Sequence, residues 1–95
     1  MFKCAEEIKE ELSYINEQAL FADGFDEALL GIDATDYTAV YDVEKCIDIL
    51  IETSNMTREE AEEYFEFNTL SAYMGEYTPR FVKVYNKNLK NKNQA

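Results

Sequence analysis

Carboxylates are nearly the whole chemical equipment of this chain. It holds 20 Asp and Glu, no His, and two Cys, Cys4 and Cys46. Without His, no Ser-His-Asp or Cys-His relay can be assembled, and two thiols are too few for a four-cysteine or Cys/His zinc site. Carboxylates alone can still hold a hard cation or act as an acid–base pair. For the first use, Asp23, Asp26, Glu27, Asp33 and Asp36 crowd around one short apolar run. Their spacing does not follow the EF-hand pattern, so solvated loop carboxylates account for them, and no metal or other cofactor is expected. For the second, two carboxyl groups must face one cleft, and elements as short as these rarely enclose one. Gly24, Gly31 and Gly75 lie too far apart to form a phosphate-cradling loop. A non-enzymatic protein is the expectation.

A third use of carboxylates is to build a field. Glu59, Glu62, Glu63 and Glu66 recur at i, i+3, i+4 and i+7, which places them on one face of a helix. Adjacent members of such a row sit about 5–6 Å apart, whereas a DNA strand carries one phosphate per roughly 3.4 Å. The row is sparser than DNA, but long Lys and Arg side chains on a partner can absorb the mismatch. Glu44, Asp48 and Glu52 form a second row, and Glu6, Glu10 and Glu17 a third. Every amphipathic helix has a solvated face, but such faces normally mix signs, because Glu–Lys pairs stabilise a helix. Here residues 1–79 hold all 20 acids and only Lys3, Lys9, Lys45 and Arg58, a balance of −16. The self-repulsion costs stability, and a sequence that tolerates it implies a use for the field, such as fast capture of a basic partner. Direct binding to nucleic acid or to an anionic membrane is disfavoured for the same reason.

Aromatic residues accompany the acids. Tyr64, Phe65, Phe67, Tyr73 and Tyr77 lie near the row of the third helix. Rings beside carboxylates suit an interface, although a small core also uses Phe and Tyr for volume. Tyr37, Tyr73 and Tyr77, being near loops, are the members expected at the surface. The partner-binding residues expected are therefore Glu59, Glu62, Glu63 and Glu66, then Glu44, Asp48 and Glu52, flanked by Tyr73 and Tyr77.

The elements that must position these side chains can be read from periodicity. Residues 4–20 predict an amphipathic helix whose apolar stripe is Cys4, Ala5, Ile8, Leu12, Ile15 and Ala19. A turn at 22–25 follows. Residues 28–32 and 38–41 predict an antiparallel hairpin across a five-residue loop, with Gly31 marking a bulge or a close contact. Asp42 is suited to cap a second helix with Val43, Cys46, Ile47, Leu50 and Ile51 inward. Thr57 to Glu60 reads as a capping box opening a third helix, with Ala61, Tyr64 and Phe65 toward the core. Beyond Phe67 the apolar pattern widens, so the helix either becomes buried on several sides or breaks near Asn68, and Gly75 ends it. After Pro79, residues 80–85 suit a strand added at an edge of the hairpin. Together these predict a small α+β fold: N-terminal helix, β-hairpin, two helices and a C-terminal edge strand.

Residues 1–85 are expected to form one acidic domain, and 86–95 a frayed basic tail rich in Lys and Asn. No leader is recognisable, and the longest apolar run, Ile49 to Ile51, is far short of the roughly 20 residues that span a bilayer. A cytosolic location with both thiols reduced is the expectation.

Three stretches carry a resemblance. They are Ala22-Asp23-Gly24-Phe25-Asp26-Glu27-Ala28-Leu29-Leu30-Gly31-Ile32, then Ala39-Val40-Tyr41-Asp42-Val43-Glu44-Lys45-Cys46-Ile47, then Met56 to Asn68 continuing through Ala72-Tyr73-Met74-Gly75-Glu76 and Thr78-Pro79. In this order they resemble a family of short acidic proteins of tailed bacteriophages and prophages, over about residues 20–81. The resemblance implies a place in the host bacterial cytoplasm and raises the expectation of an anti-defence inhibitor of the anti-CRISPR or anti-restriction class. The expected partner is a basic nucleic-acid-binding host protein, a nuclease or CRISPR effector, whose cleft takes the acidic face as a nucleic-acid mimic. The alternative is a phage assembly module making a homomeric or phage-protein contact, such as a dimer, with its charge serving solubility.

Overall fold

The computed structural model describes residues 4–70, 72 and 74–85. It is an α+β single domain in which, among the described residues, helices α1 (Ala5–Ile15), α2 (Val43–Ser54) and α3 (Arg58–Phe65) pack with a three-stranded mixed sheet. Strands β1 (Leu29–Ile32) and β2 (Ala39–Asp42) form the expected antiparallel hairpin, and β3 (Arg80–Val82) pairs with β2 in parallel. Residues 86–95, expected to form the basic tail, lie outside the described residues. No helix among the described residues is long and apolar enough to cross a membrane.

Local chemistry explains where each element starts and stops. α1 ends at Ile15 rather than near residue 20 because Asn16 turns extended and spends its side chain elsewhere. Its Oδ1 accepts from the Gln18 N–H at 3.2 Å, and its Nδ2 donates to the Tyr37 carbonyl at 2.8 Å. Such local bonds compete with helix propagation. In the hairpin loop, Asp33 Oδ1 accepts from the backbone N–H of Thr35 and Asp36, and Tyr37 takes a left-handed φ of 57°. The register shifts between Leu29 and Gly31, so the glycine marks the bulge.

Both caps read from the sequence are present. Asp42 accepts from the Glu44 N–H at 3.0 Å, and Thr57 and Glu60 exchange the reciprocal bonds of a capping box.

The core gathers Ile8 and Leu12 of α1, Phe25, Ala28 and Leu29, Ala39 and Tyr41 of β2, four residues of α2, and Ala61 and Phe65 of α3. The α2 contribution is Cys46, Ile47, Ile49 and Leu50, so Ile49 joins the expected stripe while Val43 and Ile51 are only partly buried. Phe65 is the hub of the aromatic packing. Its ring meets Phe25 and Phe81 edge-on, with centroids 6.1 and 5.3 Å away, and Phe81 stacks on Tyr41 at 5.5 Å. The buried Tyr41 hydroxyl accepts from the Ala22 N–H at 2.9 Å, pinning the segment before β1 to the sheet.

Three expectations about burial are corrected. Cys4 and Ile15 are exposed, since α1 is short and both lie at its ends. Tyr64 is 44% exposed rather than in the core, because Ala61 and Phe65, four apart, already fill the seat against the domain. Phe67, Leu70, Ala72 and Met74 are exposed too, so of the two alternatives for the widened apolar pattern the buried one fails and the break near Asn68 holds, ahead of the end expected at Gly75. The α-helix ends at Phe65 and passes into a π-helical turn, Glu66–Leu70, in which Asn68 Nδ2 donates to the Tyr64 carbonyl at 3.1 Å.

Candidate functional site

α3 displays the acidic row because its inward positions are taken by Ala61 and Phe65. Thr57, Glu59, Glu60, Glu62, Glu63 and Glu66 line one shallow groove along it. Glu59, Glu62, Glu63 and Glu66 are thus brought together as expected, with Glu60 beside them. The Glu60 carboxylate also accepts from the Thr57 N–H at 2.9 Å, so the cap is part of the groove wall.

The second row joins the first through a cation. Asn55, with φ 57°, reverses the chain after α2, and the extended Thr57 leads α3 back beside the first turn of α2. Arg58 then reaches Glu44: its Nη2 donates to both carboxylate oxygens, at 2.7 and 2.9 Å. Its Nε donates to Glu62 at 3.0 Å. These hydrogen bonds push the Arg58 guanidinium further above its ordinary value. Glu44 and Glu62 are therefore already compensated. Asp48 and Glu52 continue along the exposed side of α2, and they, Glu59 and Glu63 have no basic partner among the described residues.

The aromatic flank differs from expectation. Tyr73 lies outside the described residues. Tyr77 is half-buried and lines a different groove, with Leu70, Pro79 and Arg80, so it does not adjoin the Glu row. The rings that do adjoin it are Tyr64 and Phe67, which share a second groove with Glu60 and Glu63 on the other side of α3. Their signal was in the sequence: Glu60, Glu63, Tyr64 and Phe67 recur at i, i+3, i+4 and i+7. The expected inward place for Tyr64 hid it.

Three of the five acids considered for a cation site, Asp26, Asp33 and Asp36, are engaged elsewhere, while Asp23 and Glu27 are exposed. Asp26 pairs with Lys9 at 2.8 Å, and Asp33 and Asp36 both receive Arg80, with Asp33 at 3.3 Å. Arg80 thereby fastens β3 to the hairpin loop. Among the described residues, no group of three or more Cys, Asp or Glu side chains converges as a metal site. The thiols lie in opposite settings, Cys4 exposed and Cys46 buried, and both are free. Burial, reinforced by the Asp42 charge, pushes Cys46 up to about 12, so it is held as an inert thiol.

Comparison with known proteins adds no relative: no family model matches the chain, and no curated protein and no solved structure matches it.

Proposed function

We propose that this chain is a non-enzymatic inhibitor of the phage anti-defence kind, acting in the host bacterial cytoplasm. It binds a cationic nucleic-acid cleft of a host nuclease or CRISPR effector with the acidic face of α3, extended by the α2 row. The observation that carries this reading is the gathering of Glu59, Glu60, Glu62, Glu63 and Glu66 around one groove. A row of carboxylates on one helix attracts Lys and Arg side chains that otherwise meet phosphates, and it speeds their encounter. The kinship with phage proteins suggested by the sequence supplies the biological setting.

The test is to mix the protein with a CRISPR effector or a restriction nuclease and measure DNA binding by the enzyme. Inhibition that falls steeply with added salt and disappears in the variant with Glu59→Lys, Glu62→Lys, Glu63→Lys and Glu66→Lys supports the reading. Inhibition that survives all four reversals overturns it. The exposed Tyr64, Phe67, Leu70 and Met74 favour a second reading, an assembly module making a homomeric contact. A dimer that forms with concentration and ignores salt would identify it.

A further inference from the structure

We infer that the partner's contact segment is rich in Lys and Arg and also presents one large apolar side chain, which seats between Tyr64 and Phe67. This deepens the proposed function and rests on it for the sign of the partner's charge. Its own observation is the second groove beside the acidic one, where Met56, Tyr64 and Phe67 supply the apolar lining and Glu60 and Glu63 the acidic wall. Glu60 and Glu63 line both grooves, so the two adjoin along the ridge that these side chains form on α3.

The arrangement is not that of a phosphate mimic alone. A polyanion that worked by charge would gain nothing from Phe67, which is 73% exposed at the opening of a π-helical turn. A large ring left in water forgoes its burial energy until something covers it. π-turns inside helical segments also recur at functional sites. Glu60 and Glu63 precede Tyr64 and Phe67 by four residues each, so each ring stands one helical turn from a carboxylate. A purely apolar occupant would desolvate Glu63, and the part of Glu60 not bonded to the Thr57 N–H, without compensation, whereas a basic segment supplies partners for both. Charge complementarity thus selects the occupant: a cationic segment with an apolar anchor, which the groove centre excludes from water while the acids hold its flanks.

The probe is a fluorescently labelled helical peptide of Lys and Arg carrying a single central Leu, with a twin in which that Leu is Ser. Binding of each to the full chain is followed by anisotropy at graded salt. The Leu peptide is expected to bind about tenfold more tightly than its twin. Phe67→Ser should remove that difference and leave the twin's affinity unchanged. Because Phe67 is exposed, this variant keeps its melting temperature, and a melt by circular dichroism checks that it does.

Equal binding of the two peptides to the wild-type chain, or a difference that persists in Phe67→Ser, overturns the anchor. In the first case the Glu59→Lys, Glu63→Lys variant still tells whether the acidic reading stands, since it weakens both peptides if it does. If instead that variant leaves both affinities unchanged, the acidic reading fails while the anchor is judged by the Leu–Ser difference. Binding of neither peptide overturns both. Self-association of the wild-type chain that Phe67→Ser abolishes, seen by sedimentation, makes the groove an interface between copies and overturns the anchor.

Discussion

One guanidinium nitrogen of Arg58 donates to both carboxylate oxygens of Glu44, at 2.7 and 2.9 Å, although the two residues are 14 positions apart. The same side chain holds Glu62 through Nε. A cation therefore sits at the seam of the two acidic rows and cancels part of the field that the rows create. Removing it by Arg58→Gln is expected to tighten binding to an Arg-rich peptide and to steepen the salt dependence. The pair is exposed, so the melting temperature should move little. Titration calorimetry at two ionic strengths checks this. Weaker binding in the variant would mean that Arg58 organises the face rather than masking it.

The excess of acid makes salt a stabiliser. Raising monovalent salt from about 0.01 M to about 0.5 M shortens the screening length severalfold and relieves repulsion among exposed carboxylates. The melting temperature should rise by a few degrees. Differential scanning calorimetry reads it, and a flat or falling response would show that the carboxylates are already neutralised.

Cys46 predicts an alkaline weakness. Its ordinary thiol value is 9.0, and burial lifts it to about 12 in the folded chain. Between those two pH values the unfolded state binds fewer protons than the folded one, so stability is intact below 9.0 and falls as pH rises. The slope approaches about 1.4 kcal/mol per pH unit. Tyr41, raised above 10.0 by burial, adds a decline of the same sign at higher pH. Urea titrations on both sides of pH 9.0 should show the loss, and Cys46→Ala should delay its onset toward the tyrosine region.

Thiol labelling tests the same burial directly. In the native protein the exposed Cys4 should react with a thiol reagent at once, and the buried Cys46 only after denaturant is added. Both reacting together would place Cys46 within reach of solvent.

Thr38 is fully buried, and among the described residues its hydroxyl meets no hydrogen-bond partner. A buried hydroxyl left unpaired costs about 1–3 kcal/mol. Thr38→Val keeps the shape and removes the polar atom, so it should stabilise the domain by about 1 kcal/mol in chemical denaturation. A loss of stability would reveal a partner for the hydroxyl.

Much of this fold was legible because local chemistry decides it. Asp42 and Thr57 announce their helices through caps that need no tertiary information, and Gly31 announces the bulge. The row Glu59, Glu62, Glu63 and Glu66 was legible for the same reason, since helical spacing alone puts it on one side. What could not be read depended on distant neighbours. The stop at Ile15 depends on Asn16 reaching Tyr37 across the hairpin. The place of Tyr64 depends on Ala61 and Phe65 having filled the interior first. The Arg58 link depends on how the turn at Asn55 returns the chain along α2. Periodicity reports which residues share a side of a helix, but the identity of the buried side is a property of the assembled whole.

The parallel pairing of β3 with β2 sets an order of events during synthesis. Val40 finds Arg80, and Tyr41 finds Phe81, only after both intervening helices have been made. Until Phe81 leaves the ribosome, the faces of Tyr41 and Phe65 that it covers stay open, and closing so long a loop is the slow part of folding. The aromatic interior is thus closed only by a segment made 40 residues after Tyr41, and like charge along the chain opposes association with neighbouring chains in that interval.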